Sequence, residues 1–237
     1  MKLELNYQST NISFEVIFRK RKTIQIVIDP PDKITVTAPT IMTKEQVLKF
    51  VESKGNWIIK KLKYLETLDY SNINKEFVDG ELFLYLGKEY SLQIIEDPKI
   101  MFSEVKLIDD KLILKVRNNN SQEIRSILEL WYKSKADEVI RSRVIYYQKY
   151  FDKEPSRIKI KEQKRRWGSC TYKDELFFNW RCVMADLEAL DYVVVHEMCH
   201  MVQKNHSKEY WKVVASVMPD YKVQKKYLKE NGIRMKF

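Results

Sequence analysis

The chain has 237 residues, of which 44% are hydrophobic and only 5 are Gly and 6 are Pro, a composition that excludes a disordered or low-complexity protein. Its formal net charge of +10 predicts attraction to anions such as nucleic acid, nucleotides or acidic peptides, although a well-solvated basic surface explains it equally simply. The N-terminal segment lacks the apolar core of a signal peptide, and no apolar run reaches the roughly 18 residues that a membrane span needs. We therefore expect a cytoplasmic protein with three reduced cysteines and no membrane partner.

The N-terminal half is predicted to be mostly strand. The segments ISFEVIF, TIQIVID and KITVTAP are rich in β-branched and aromatic residues and predict a meander of antiparallel strands. A helical pattern then runs from Thr43 to about Leu68. Thr43 and Gln46 are spaced as a capping box, and Gly55 is expected to kink the helix or divide it in two.

Two hairpins are predicted next, the first turning at Gly87-Lys88 and the second at Asp109-Asp110. Asn120 follows a polar Asn run and is spaced from Glu123 as in a capping box, so it marks the start of a long amphipathic helix. We therefore predict a β-rich N-terminal domain, residues 1–119, which includes one helical segment.

The C-terminal half, residues 120–237, is predicted to be mainly helical with a small sheet. After the long helix, the strands RIKIK and ELFFNWR flank a loop with the sequence KRRWGSC. A helix starting near Asp186 follows, and Pro219 separates two further helices. The whole chain is therefore predicted to be an α+β protein of two domains.

All three histidines of the chain lie within eleven residues, in the sequence HEMCHMVQKNH. His196 and His200 are four residues apart in a helical pattern, so both imidazoles can bind one metal ion from the same face. Glu197 lies beside them, too far round the helix to be a ligand but close enough to accept a proton from metal-activated water. His206 is the predicted third ligand. Chance occurrence of the motif is disfavoured because it follows the apolar run YVVV, which is suited to a buried helix.

Three imidazoles and one open position are the arrangement of a catalytic zinc site, although imidazole also accepts other divalent ions. To bring His206 back to the metal, the chain must reverse at Gln203-Lys204-Asn205, which contains no glycine. Asn205 tolerates the left-handed conformation that such a turn commonly uses. Ser207 is expected to cap the next helix. Cys199 points away from the histidine face and is assigned to packing.

The segments KRRWGSC, NWR, DYVVVHEMCH, NHSKEYW and MPDYK together resemble the YgjP-like (DUF45, WLM-related) metal-dependent hydrolases, over about residues 125–235. This resemblance implies a zincin-like metallopeptidase domain, related to the minigluzincin and SprT groups, that follows an N-terminal sheet in the chain. It also implies that His196, His200 and His206 are the zinc ligands and that Glu197 is the catalytic glutamate. One branch of the family resembles a nucleotide pyrophosphatase acting on UTP, so the resemblance leaves the substrate open.

The KRRWGSC loop holds the predicted substrate-binding residues Arg165, Arg166 and Trp167, preceded by Lys164. In a peptidase the strand here would hold an extended peptide by its backbone. In a nucleotide hydrolase the arginines would bind phosphate and Trp167 would stack on the base. The structural alternative is that Trp167 belongs to the core and the basic residues are solvated. Ser169 and Cys170 are not expected to act as nucleophiles, because no histidine is left to activate them.

Three hypotheses follow. The first is a zinc-dependent hydrolase of the metallopeptidase type, whose substrate class the sequence leaves open, and the second is a nucleotide pyrophosphatase that uses the same metal site. The third is a nucleic-acid-binding module with a structural metal, which the lack of a fourth protein ligand argues against. Tyr210 and Trp211, near His206, are assigned to packing because of their helical spacing.

Overall fold

The structure is a computed structural model that describes residues 1–67, 75–163 and 165–235; Leu68 and Lys164 lie outside the described residues. The described residues form six α-helices and eleven strands in three sheets, which confirms the α+β class. The contacts group the chain into two compact units, Met1–Tyr70 and Ser71–Phe237. Within the described ranges, no helix combines the length and the apolar character needed to cross a membrane.

The first unit is a four-stranded sheet that buries one face against two helices. Its strands have the order β1-β2-β4-β3, with antiparallel outer pairs and a parallel central pair. The predicted antiparallel meander is therefore wrong at this central pair. β2 and β4 bury alternate apolar side chains, whereas the side chains of β3 remain partly exposed, so the two strands with buried faces occupy the centre. The elements are β1 (Lys2–Tyr7), β2 (Thr10–Arg19), β3 (Gln25–Asp29), β4 (Lys33–Pro39), α1 (Lys44–Ser53) and α2 (Gly55–Glu66).

The predicted helical segment is two helices, and its capping box is present. The Thr43 hydroxyl accepts a hydrogen bond from the Gln46 amide at 3.3 Å, while the Gln46 side chain accepts one from the Thr43 amide at 2.9 Å. The division falls at Gly55, where a Cβ atom would lie 2.6 Å from the ring of Tyr7. Glycine therefore lets the second helix begin directly against an aromatic ring.

The second unit begins with another four-stranded sheet of the same design. Both predicted hairpins are present. The first turns at Leu86-Gly87, where both residues have positive φ (47° and 78°), so the turn predicted at Gly87-Lys88 is wrong by one residue. The second turns at Asp109-Asp110, as predicted. A parallel pairing of β6 with β8 joins the hairpins into one sheet with the order β5-β6-β8-β7. The strands are β5 (Leu82–Tyr85), β6 (Lys88–Glu96), β7 (Glu104–Ile108) and β8 (Lys111–Val116).

A long helix, α3 (Ser121–Gln148), covers this sheet. The Asn120 side chain caps it by accepting hydrogen bonds from the amides of Gln122 and Glu123. The apolar residues of the sheet and of α3 belong to one continuous core. The boundary predicted between residues 119 and 120 consequently lies inside the second compact unit, where sheet and helix pack together.

The remaining elements build the site. A three-stranded sheet has the order β10-β11-β9, so β10 is an edge strand. The helix α4 is apolar on nearly all sides and almost entirely buried. It is attached to α3 by a bidentate ion pair, in which Arg143 donates to both carboxylate oxygens of Asp191 at 2.6 and 2.7 Å. The elements are β9 (Arg157–Lys161), β10 (Gly168–Cys170), β11 (Glu175–Asn179), a 3₁₀ turn (Trp180–Met184), α4 (Leu187–Val202), α5 (Lys208–Val217) and α6 (Tyr221–Asn231).

Candidate metal centre

The three histidines converge on one point. His196 and His200 project from the same face of α4, and His206 lies in the connection to α5. The Nε2 atom of His206 is 3.1 Å from Nε2 of His196 and 3.2 Å from Nε2 of His200. Nitrogen atoms that share one tetrahedral zinc ion at about 2.0–2.1 Å lie roughly 3.3 Å apart. Two of the three separations therefore match a single metal ion of this kind, and the ligand nitrogens of all three rings lie within 4.8 Å of one another.

The protonation of the rings also fits a cation. The Nδ1 atom of His200 is 3.0 Å from the carbonyl oxygen of Gln203, and a proton on Nδ1 leaves a lone pair on Nε2. Burial lowers the pKa of all three histidines, and together with the neighbouring His200 and His206 it lowers the pKa of His196 to about 3. The imidazoles are thus kept neutral, as metal ligands must be.

The connection that carries His206 reverses without a left-handed residue. Gln203, the first residue after α4, is extended (φ −130°), and Asn205, which was expected to be left-handed, does not have a positive φ. The Asn205 side chain instead accepts a hydrogen bond from the Ser207 amide at 3.2 Å. The Ser207 hydroxyl in turn accepts one from the amide of Tyr210, so the expected cap of α5 is present. Side-chain hydrogen bonds replace the conformational freedom of glycine here.

Lys204 fixes this connection from outside. Its ammonium group forms an ion pair with Asp174, in the turn between β10 and β11, and donates to the carbonyl oxygen of Thr171 at 3.0 Å. Lys204 also lines the cleft in which the histidines lie. The turn bearing His206 is therefore attached to the small sheet as well as to the two helices that it joins.

Aromatic side chains support the histidines. Tyr210 is fully buried, its ring stacks on His200 with centroids 4.5 Å apart, and its hydroxyl donates to the carbonyl oxygen of His196 at 2.9 Å. Trp211 stacks on His206 with centroids 5.7 Å apart. Both residues were predicted to pack, and the rings on which they pack are those of the predicted ligands. They restrict the orientation of the imidazoles.

Glu197 lies in the wall of the same cleft and is only 5% exposed. Burial raises the pKa of this carboxyl to about 8, and the positive charge of Arg166 opposes the rise. A carboxyl group with such a pKa can accept or release a proton near neutral pH. The close neighbour of Glu197 is the backbone of Gly168, where a Cβ atom would lie 2.6 Å from the Glu197 Cγ atom. The glycine of the KRRWGSC loop is thus required by the position of the glutamate, a role that the sequence analysis missed.

The cleft has a volume of about 410 Å³, and β10 with the residues before it forms the wall opposite the histidines. Of the predicted substrate-binding residues, Arg166 and Trp167 line it, whereas Arg165 is exposed and lies outside the lining. Trp167 is half-buried against the core, and a Cβ atom on Gly232 would lie 2.8 Å from its ring. Among the described residues of this loop, Arg166 is accordingly the one that is both charged and open to the cleft.

Asn179 holds this loop in place. Its buried side chain donates to the carbonyl oxygens of Gln163 and Arg166 at 2.8 and 3.1 Å, and its backbone amide donates to that of Trp167 at 2.7 Å. No role was predicted for Asn179, although it lies at the end of an apolar strand and begins the NWR segment of the family resemblance. Cys170 also lines the cleft, and burial raises the pKa of its thiol to about 11, which disfavours a nucleophilic role.

An α+β chain with a cleft that contains three converging imidazoles and a buried glutamate has the fold and the site of a metal-dependent hydrolase. The family model described as YgjP-like, metallopeptidase domain, matches residues 22–231, so the chain belongs to the YgjP-like metallopeptidase family. No curated protein matches the sequence. Among solved structures, the metallopeptidase zymogen abylysin of Pyrococcus abyssi is similar, with 15% identity and a TM-score of 0.35, over 38% of this chain and 92% of that one.

Proposed function

We propose that the protein is a zinc-dependent hydrolase of polypeptides, with His196, His200 and His206 as metal ligands and Glu197 as the general base. The observation that carries this proposal is the convergence of three imidazoles, with Nε2 of His206 lying 3.1 and 3.2 Å from Nε2 of His196 and His200, in a cleft that Glu197 also lines. When bound, zinc supplies a Lewis acid that polarises oxygen atoms and makes water more acidic. Three protein ligands leave a position open for that chemistry.

The residues of the chain perform the other steps. The Glu197 carboxylate accepts the proton of the attacking water and returns it to the leaving amine. The Glu197 side chain is buried, and the backbone of Gly168 lies against it, which holds the carboxylate in one orientation. The strand β10 is the edge of its sheet and lines the cleft, so its outer backbone groups are placed to pair with an extended peptide.

Nucleotide pyrophosphate hydrolysis on the same site is the second candidate, and the position of Arg166 at the cleft favours it. The packing of Trp167 argues against it, because a ring held against the core and Gly232 offers little free face to a base. A purely structural metal is disfavoured as well, since the cluster found in the described part of the chain contains three ligands and not four.

The first experiment measures the metal content of purified wild-type protein and of the His206→Ala variant by elemental analysis. We expect about one zinc ion per wild-type chain and a large loss in the variant, whose folding is checked by circular dichroism. Wild-type protein without bound metal would overturn the proposal.

The second experiment measures hydrolysis of fluorescently labelled casein and release of pyrophosphate from nucleoside triphosphates. Glu197→Gln should lower the rate by roughly 10²- to 10⁴-fold and retain zinc, because the change removes the proton acceptor and no ligand. Glu188→Gln, an exposed position on the same helix, is the matched control and should keep full activity. Hydrolysis of nucleotides without hydrolysis of casein would contradict the peptidase proposal and support the pyrophosphatase proposal.

A further inference from the structure

A second groove, separate from the cleft, lies between α5 and α6. It has a volume of about 430 Å³ and an open shape, and two aromatic residues and four lysines line it. All four lysines come from α6, where they are spaced so that they share one face of the helix. The lining residues are Trp211, Tyr221, Lys222, Lys225, Lys226 and Lys229. We call this feature the lysine groove.

A column of stacked rings connects the lysine groove to the metal centre. Trp211 stacks on the predicted ligand His206, with centroids 5.7 Å apart and an interplanar angle of 27°. Tyr221 stacks on Trp211 at 5.2 Å and on Tyr192, which lines the cleft, at 6.5 Å. Trp211, which lines the groove, therefore contacts a predicted metal ligand directly. A polymer bound in the cleft needs only a short additional length to enter the groove.

Two lysines of the groove, Lys222 and Lys225, carry positive charge without an ion-pair partner among the described residues. Lys226 is 3.9 Å from Glu230, a distance typical of a weak surface pair. Among the described residues, no carboxylate forms an ion pair with Lys222 or with Lys225. The ammonium group of Lys225 instead lies 4.2 Å from the centroid of Trp211, a cation–π contact that holds it at the groove. The charges of Lys222 and Lys225 are thus located at the groove and open to an anionic partner.

Whether the aromatic faces of the groove are free for stacking distinguishes a nucleic acid from an acidic polypeptide as the partner. Single-stranded nucleic acid is bound by positive charge together with open aromatic faces on which bases stack. In the lysine groove, Trp211 already contacts His206, Tyr221 and Lys225, and Tyr221 already contacts two rings. The groove therefore offers charge rather than a stacking surface, which favours an acidic polypeptide.

We propose that the lysine groove is a substrate subsite that binds a run of acidic residues in the polypeptide cleaved at the metal centre. This assignment rests on the proposed function. From Lys222 to Lys229 the helix rises about 10 Å, the length of roughly three residues of extended chain. Carboxylates along such a segment can meet successive ammonium groups of α6. The subsite selects acidic substrates and takes no part in the chemical step.

The test measures binding of two fluorescein-labelled peptides to the zinc-loaded full chain carrying Glu197→Gln, by fluorescence anisotropy at low salt. The peptides are identical except that one contains three consecutive acidic residues, which are Asn or Gln in the other. We expect the acidic peptide to bind about tenfold more tightly, and this preference to decline with added salt. Changing all four groove lysines to Gln should abolish the preference.

The matched control changes four exposed lysines of β7, β8 and the preceding loop to Gln, which lowers the net charge equally and should leave the preference intact. These are Lys99, Lys106, Lys111 and Lys115. Equal affinity for the two peptides would overturn the proposal, as would equal losses in the two variants. Tighter binding of an oligothymidylate that depends on the groove lysines would also overturn it. The casein assay tests the proposed function separately, because a protein that binds the acidic peptide but cleaves no casein lacks peptidase activity and still has a selective groove.

Discussion

The two walls of the cleft are constructed differently. One wall, which we call the helix wall, consists of α4 and the turn after it and bears the three histidines and Glu197. The other, the strand wall, consists of Arg166, Trp167 and β10. The helix wall is held by buried side chains, with Tyr210 under the imidazoles and an ion pair between Arg143 and Asp191 behind α4. The strand wall is held by backbone contacts to Asn179 and exposes its charge to solvent.

This difference suggests that the two walls have different roles, a division of labour between chemistry on the helix wall and substrate contact on the strand wall. Under the proposed function, the helix wall contains the groups that must not move, because metal binding and proton transfer require fixed distances. The strand wall then contains the groups proposed to contact the substrate, the backbone edge and the exposed cation Arg166, and these tolerate variation. Changes should therefore matter more as they disturb the groups of the helix wall more directly, and three substitutions test this order.

The largest effect is expected for Gly168→Ala, where the two walls touch. The added Cβ atom would lie 2.6 Å from the Glu197 Cγ atom, and the buried glutamate has little space to move away. Displacement of the general base should lower kcat about 100-fold and destabilise the fold by about 1–3 kcal/mol, with zinc content unchanged. Steady-state kinetics and thermal unfolding measure both effects. Ser169→Ala is the neighbouring control, and an unchanged kcat in Gly168→Ala would show that the walls are not coupled there.

An intermediate effect is expected for Lys204→Met, which removes the tie between the two walls. Without the ion pair to Asp174, the turn that carries His206 loses its outer support. Zinc affinity should fall about tenfold, as is usual for residues that orient a ligand. Competition with a chromophoric chelator measures it. Asp174→Asn should reproduce the loss and Lys208→Met, an exposed lysine at the start of α5, should not.

The smallest effect is expected for Arg166→Gln, on the strand wall alone. Because Arg166 is exposed, its contacts are screened by solvent, so KM for casein should rise only a few-fold and kcat should remain close to that of the wild type. Arg157→Gln, an exposed position on β9, is the control. A large fall in kcat would contradict the division of labour, because it would give Arg166 a part in the chemical step.

The sequence could predict the features that depend on residues close together along the chain. The spacing of His196 and His200 is local, so helical periodicity alone predicts that they share a face. The capping box at Thr43 and the hairpin turn at Asp109-Asp110 are local as well, and both are confirmed.

The features that were missed depend on residues far apart in sequence. The role of Gly168 depends on Glu197, that of Asn179 on the loop before β10, and that of Lys204 on Asp174. The parallel pairing of β2 with β4 was missed for the same reason, because a strand pattern indicates which face is buried and not which strand lies beside it.

The two four-stranded sheets share strand order, a parallel central pair and antiparallel outer pairs, and the buried face is covered by α1 and α2 in the first unit and by α3 in the second. In the first unit the sheet and its two helices enclose a core of their own, whereas the second sheet belongs to the core that also contains α3 and α4. The same strand order therefore forms a complete small core in one unit and a single layer of a larger core in the other.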